Sequence, residues 1–383
     1  MVSKKILGSG IAVTVVLSAI IGIAVYNNYL NFQDDSGSRT IIDSLGREVT
    51  IADAKDIDKI VGINPGTLRL LIYMDAKNLV CGVEDIEINM NYGRAYLYAY
   101  PELSDLPSIG PKFGGDPELI TGQNPDVIFA TLLTVESADN LQEQTGIPVI
   151  VINYGDDFGD LKMSSLYDSL EILGDVLGKQ DRAEELINYL NNLINDLDDR
   201  TKDINDGNKD WTYVGGIGKK GVHGLGSTDC SYEPLAFINQ WNSAGGLGEG
   251  YQSLDSEGVL DLQENPGLDY LIIDGGGYSQ CIQDINGTAY DSLNCLQGEK
   301  KDAVMTLAFN FYNPNIANIF LNAYYLGKRF FANEFDDLNY TDGKIYDDIY
   351  NEILGEPVYD DVANYYYGGF HNITQAEINN FCS

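Results

Sequence analysis

Basic residues are scarce in this chain of 383 residues: 23 Lys and Arg stand against 58 Asp and Glu, a formal net charge of −35. Binding along a phosphate backbone needs clustered Lys and Arg, so a nucleic-acid partner is disfavoured. Histidine is scarcer still, with only His223 and His371. No HExxH pair and no ordered Ser-His-Asp set occurs, and one isolated His makes a poor transition-metal site. The five cysteines, Cys81, Cys230, Cys281, Cys295 and Cys382, include no C-x-x-C pair. Zinc-ribbon and thioredoxin readings therefore fail. Cys281 and Cys295 flank a short loop and could close it in an oxidising compartment. The odd count leaves at least one thiol over, and each Cys also reads as a small buried apolar residue.

What is present is the material of a folded protein: 44% hydrophobic residues and 26 tyrosines. The length exceeds one ordinary core and suits two lobes plus a short anchor. The acidity is spread along the chain, as on a solvated surface. Lys4 and Lys5 precede an uncharged run at 6–26, close to the roughly 20 residues that cross a bilayer. The lysines favour a cytoplasmic N-terminus, with the acidic remainder outside. No Cys lies in or just after the run and no clean A-x-A site follows, so a retained signal anchor with a polar linker is expected over 1–39. Three N-x-[ST] triplets, at Asn286, Asn339 and Asn372, are compatible with an outside location.

The remaining chain alternates strand and helix patterns. Residues 40–51 read as a hairpin around a Gly-containing turn. Apolar strands follow in IDKIVGIN, LVCGV, DVIFA and PVIVI, separated by helical spacing at 67–76, 117–122 and 135–145. Such alternation indicates a parallel sheet covered on both faces, here a first lobe over 40–160. Over 161–206, Leu166, Leu170, Leu173 and Leu177 form one stripe and Leu186, Leu190 and Leu197 another, with Gly178 dividing two helices. A second α/β series over 207–383 has strands in WTYVGGIG, DYLIIDGGG and AVMTLAFNF, a helix in IANIFLNAYYLGKRFF, and an acidic, Tyr-rich tail with local helix in GKIYDDIYNEIL.

IDSLGREVTI followed by KIVGINPGTLRLLIYMDAKNLVCGV resembles the opening of the class III periplasmic binding proteins for iron-siderophores, haem and cobalamin. LPSIGPKFGGDPELITGQNPDVIFA is similar to the family's next signature, and LYDSLEILGDVLGKQDRAEELINYL to its lobe-linking helix. The likeness covers nearly everything after Thr40 and weakens in the second lobe and tail. It implies two Rossmann-like α/β lobes joined by a long rigid helix, a ligand in the interlobe cleft, small hinge motion and no catalysis. It also implies delivery to ABC permease subunits. Glu118, seven residues before Pro125, matches the family's permease-docking glutamate. In the second lobe the spacing differs, so Glu257 is a candidate with Glu264 as rival.

In open α/β sheets ligands sit beyond the carboxyl ends of the strands, and that rule selects loops independently. Asn64 to Thr67 form a strand-to-helix turn whose N–H groups suit an anion. Segment 89–100 sets Arg94 among Tyr92, Tyr96 and Tyr98, suited to a planar or anionic chelate or to a plain surface loop. Segment 215–228, GGIGKKGVHGLGST, concentrates Lys219, Lys220, His223, Ser227 and Thr228 among glycines and suits an oxyanion or carboxylate. Segments 274–278 and 310–313 bring Tyr278, Tyr312 and Asn313 to the pocket wall. GIGKKG also matches G-x-G-x-x-G, so a dinucleotide-dependent oxidoreductase is the rival of another class, but GVHGLGSTDCSYEP cannot begin the helix that fingerprint needs.

The sequence thus leads to a monomeric, non-enzymatic, extracytoplasmic solute-binding subunit without cofactor. Its expected cargo is an iron-siderophore-like anionic metal chelate, with molybdate, tungstate or a corrinoid as alternatives.

Overall fold

The computed structural model describes residues 37–89, 93–155, 161–219, 221–296, 303–311, 313–374 and 376–377. The expected anchor, Tyr92, Lys220, Tyr312 and Cys382 lie outside the described residues. Among those described, no helix is long and apolar enough to cross a membrane.

Strands β1 (Ser38–Ile42) and β2 (Glu48–Ala52) pair antiparallel. Their alternation places Ile41, Val49 and Ile51 in the core and polar partners outside. Asp43 closes the turn by accepting from the backbone N–H groups of Leu45 and Arg47, both at 3.0 Å. The first sheet has β3 (Ile60–Ile63), β4 (Val80–Gly82), β5 (Val127–Ala130) and β6 (Val149–Val151) in the order β4-β3-β5-β6, all parallel. Nearly all of these strand residues are buried, which explains why they read as continuous apolar runs. Five helices accompany them: α1 (Thr67–Tyr73), α2 (Asp85–Asn89), α3 (Ala95–Ala99), α4 (Pro117–Gln123) and α5 (Val135–Thr145). Segment 89–100, one of whose readings was a plain loop, therefore contains a short helix at Ala95–Ala99.

Helices α6 (Met163–Leu177) and α7 (Gln180–Thr201) pack against each other across a two-residue turn. Gly178 takes the left-handed φ of 66° that ends α6, a conformation free of cost only for glycine. Helix α6 packs on β1, whereas α7 packs on helices of the second lobe. The connection is a helical pair rather than one continuous rod.

The second sheet contains β7 (Trp211–Gly215), β9 (Trp241–Asn242), β11 (Tyr270–Asp274) and β12 (Ala303–Thr306) in parallel. Beside it, β8 (Ser227–Asp229) pairs antiparallel with β10 (Tyr251–Ser253), while β13 (Asn310–Phe311) and β14 (Asn313–Pro314) form a small ribbon. Its helices are α8 (Glu233–Phe237), α9 (Ser256–Glu264), α10 (Tyr278–Asn286) and α11 (Ile316–Phe330), the last buried over nearly its whole circumference. The tail folds as α12 (Lys344–Leu354) and α13 (Tyr359–Tyr365). It then re-enters the sheet as β15 (His371–Asn372), antiparallel to β12, giving the order β15-β12-β11-β7-β9. The possible bridge between Cys281 and Cys295 is not made. Cys281 is a buried thiol whose sulfur points toward the His223 carbonyl, 4.0 Å away.

Candidate functional site

Both sheets reverse strand order at their first strand, and the loops leaving β3 and β7 open at those switch points. At the first, Asn64 donates to the Thr131 carbonyl at 2.6 Å and Thr131 donates to the Pro65 carbonyl at 2.9 Å. Thr67 spends its hydroxyl on the Ile63 carbonyl at 2.5 Å. These side chains shape the turn from inside, since Asn64 and Thr67 are both buried.

Next to this turn lies a small cavity of about 30 Å³ that opens into a wider mouth. Its wall comes almost wholly from the first lobe: Pro65 and Gly66, Arg69 on α1, Glu84, Ile86 and Glu87 after β4, Gly93, Arg94 and Tyr96, and Lys112 with Phe113. The second lobe adds Asn315. Arg69 is the keystone. Its buried guanidinium donates to Tyr154 Oη at 2.8 Å and to the Pro314 carbonyl at 2.6 Å, and also to Asn315 Oδ1. Asn313 returns a bond to the Pro65 carbonyl at 2.8 Å. The two lobes thus meet through polar contacts at one end of the cavity.

Arg94 stands at the N-terminus of α3, donates to the Ile86 carbonyl at 3.1 Å and pairs with Glu87 Oε2 at 3.0 Å. Glu87 also accepts from Tyr96 Oη. Burial pushes the Glu87 carboxyl up, and the neighbouring Arg94 pulls against that shift. Glu84 lies deeper. Burial raises its pKa to about 7, although the Gly114 N–H donates to it at 2.9 Å. Lys112 sits at the rim, exposed, 5.2 Å from the centre of the Phe113 ring. With Glu84 protonated the lining carries three cations against the single carboxylate of Glu87, in a chain whose net charge is −35.

Of the residues expected from sequence, Arg94 lines this cavity and Asn64, Thr67 and Asn313 build its floor turn and lobe contact. The glycine-rich segment is placed elsewhere. Ser227 and Thr228 lie inside β8, buried, and Ser227 donates to the Ile217 carbonyl at 2.6 Å. Lys219 Nζ stands 5.2 Å from the Tyr251 ring centre, and His223 lies 6.1 Å from the same ring, ring to ring. None of the four lines the cavity. Among the described residues the chain leaving β7 leads to strand β8 with no helix between them, whereas a dinucleotide at GIGKKG would require one. Arg69, Glu84, Lys112 and Asn315 were not anticipated. Glu84 was within reach of the strand-end rule, since it stands two residues after β4. Arg69 was hidden because it reads as one polar residue on an apolar helix.

Glu118 and Glu257 are both exposed and occupy matching places. Each is the second residue of a helix, α4 or α9, that leads into a parallel strand. Each follows an aspartate N-cap: Asp116 accepts from the N–H groups of Glu118 and Leu119, and Asp255 from that of Gly258. Glu264 ends its helix instead.

Residues 60–285 match the family described as periplasmic binding protein, and the chain belongs to it. The molybdate-binding protein MolA of Haemophilus influenzae is 26% identical over 163 residues, which is 39% of this chain and 46% of that relative. The chain thus spans about half the length of this curated relative. Among solved structures, MolA of Haemophilus influenzae bound to molybdate superposes with a TM-score of 0.66 at 21% identity, covering 83% of this chain and 98% of the other. A periplasmic solute-binding protein from Veillonella parvula gives a TM-score of 0.62 at 18% identity over 89% and 96%. At these identities the two structures establish a common fold.

Proposed function

We propose that this chain is the extracytoplasmic capture subunit of an ABC-type importer, that it performs no catalysis, and that its cargo is a small anion of the molybdate or tungstate kind. The observation that carries the cargo assignment is the convergence of Arg69, Arg94 and Lys112 on one cavity of a chain poor in cations. Guanidinium groups held in place by their protein partners form a preorganised anion site. MolA, which shares the fold, is named for molybdate. The run at 6–26 would hold the chain at the outer membrane face, and Glu118 with Glu257 would meet the permease. The siderophore-type chelate keeps one observation in its favour: Phe113, 48% exposed, offers a flat apolar face at the rim.

Calorimetric titration of the full chain with molybdate, tungstate, ferric siderophores, haem and cobalamin tests this. A ligand at about a hundred times its dissociation constant adds roughly 2.7 kcal/mol of stability. Molybdate or tungstate should bind, and Arg94→Lys should weaken binding at least tenfold by removing the planar fork. Binding of a large chelate alone would overturn the oxyanion assignment. For the docking pair, Glu118→Ala with Glu257→Ala should leave solute affinity unchanged and abolish stimulation of the importer's ATPase.

A further inference from the structure

The acidic tail does more than extend the second lobe. From α11 the chain crosses to the first lobe: α12 packs on α1 and α7, and α13 packs on α3. Tyr100 Oη donates to the Leu354 carbonyl at 2.7 Å, and Arg182 donates to the Glu352 and Ile353 carbonyls at 2.9 and 3.2 Å. The chain then returns to the second lobe, where β15 pairs with β12 and Ile373 N–H donates to the Ala303 carbonyl at 3.0 Å. The tail is therefore a strap fastened to both lobes.

Where the strap turns back, its Tyr366 ring is held between two glycines of opposite lobes. A Cβ added at Gly93, in the cavity wall, would fall 2.7 Å from Tyr366 Cε2 and Cζ and 2.5 Å from Tyr365 Cδ1. A Cβ added at Gly275, just beyond β11, would fall 3.0 Å from Tyr366 Cδ1. A side chain at Gly93 would displace the ring, and one at Gly275 would press on both the ring and the Thr306 carbonyl, the latter 2.9 Å away. Tyr366 is only 5% exposed, and the adjacent Tyr367 ring packs 4.5 Å from Tyr278 of α10. One aromatic ring thus fills the gap between the lobes directly behind Gly93 and Arg94.

We infer that the tail is a strap braced behind the wall of the binding cleft, in which Tyr366 sets the spacing of the two lobes and restricts the cargo to compact anions. This deepens the proposed capture function and rests on the cleft being the solute site. A chelate larger than the cavity could enter only by parting the lobes at Gly93 and Gly275, and the strap, tied on both sides, resists that. A tetrahedral oxyanion would need a much smaller opening. Tyr366 acts by positioning the walls, so its removal should alter which solutes fit.

The test uses the full chain in detergent, as wild type, Tyr366→Ala and the bulkier Tyr366→Leu, with sodium molybdate and ferrioxamine B as probes. Calorimetry should show molybdate binding by wild type and at least a tenfold loss in Tyr366→Ala. Ferrioxamine B should bind only once the ring is gone, with Tyr366→Leu intermediate for both probes. Amide exchange separates this from the cargo assignment. Without any ligand, Tyr366→Ala should exchange at least tenfold faster than wild type in amides 66–70, 313, 315 and 316, where the lobes meet. If neither probe binds wild type but exchange rises, the cargo assignment fails and the wedge stands. Unchanged exchange in both variants, or variants that bind both probes as wild type does, overturns the wedge. Should Tyr366→Ala fail to fold, Tyr366→Leu supplies the same comparison.

Discussion

The two lobes use the same kind of switch point in opposite ways. In the first lobe the loops beyond β3 and β4 send Arg69, Glu84 and Glu87 into a cavity. In the second lobe the loops beyond β7, β11 and β12 close on themselves. Gly218 approaches the Asn310 carbonyl and Gly276, and Asp274 is fully buried with its carboxylate accepting from Phe309 and Gly276 N–H groups at 2.7 and 2.8 Å. The strand-end rule says where a site can form. Which switch point becomes a site depends on whether its charged groups border a cavity, even while bonded to its walls, or are sealed between loops. On the proposed reading the first lobe would bind and the second support, and substitutions should separate the two roles.

The largest expected effect is on the supporting side. Asp274→Ala removes an acceptor from two buried N–H groups and should cost about 3 kcal/mol or more of stability, read as a lower urea midpoint. Asp274→Asn keeps one acceptor oxygen and should cost about 1 kcal/mol. Burial raises the Asp274 pKa from 3.8 to about 8, so the folded chain keeps a proton that the unfolded chain releases. Stability from this group is complete below the unfolded value and is lost as pH rises through 3.8 to 8. Asp274→Asn should flatten that decline. An unchanged urea midpoint for Asp274→Ala would erase the distinction between the lobes.

Much of the fold was legible because it rests on continuous apolar strands and on helix termini. The helix expected at 135–145 is α5, and the helix in GKIYDDIYNEIL is α12. Gly178 marked the break between α6 and α7 for a local reason, its left-handed φ. The site was less legible. Segment 215–228 gathers the right chemistry in sequence, but Ser227 and Thr228 alternate into β8 and pair with β10, a long-range contact that local composition does not encode. The return of the tail as β15 was missed for the same reason: two residues opposite Val304 and Met305 carry no strand signal of their own. Arg94 was found because a lone cation among tyrosines is a local signal.

On the binding side, Glu84 should give pH dependence. Its pKa is raised from 4.5 to about 7 by burial, outweighing the Gly114 and Asn64 backbone groups that lower it. The folded chain therefore holds this proton across pH 4.5 to 7, and its share of stability, roughly 3 kcal/mol, is present below 4.5 and gone above 7. A bound anion favours the protonated carboxyl. Affinity should therefore be flat below about pH 7 and fall by up to tenfold per pH unit above it, until anion binding has raised the pKa as far as it can. Glu84→Gln should abolish that slope in titrations from pH 5 to 9. A slope that survives in Glu84→Gln would move the responsible group elsewhere.

The smallest effect gives the sharpest comparison, because it sets one lysine of each lobe against the other. Lys112 stands exposed at the cavity mouth, and Lys219 beside Tyr251 in the second lobe. A solvent-exposed charge at a few ångströms from an anion contributes about 1 kcal/mol or less and is screened by salt. Lys112→Ala should therefore weaken oxyanion binding only about threefold to fivefold, and the loss should shrink toward nothing near 1 M salt, where the screening length is about 3 Å. Lys219→Ala should change affinity by less than a factor of about 1.5 at any salt concentration, since this lysine does not line the cavity. Titration of both variants at low and high salt measures this directly. If Lys219→Ala carries the larger, salt-sensitive loss, the anion sits over the glycine-rich loop of the second lobe, and the roles of the two switch points are reversed.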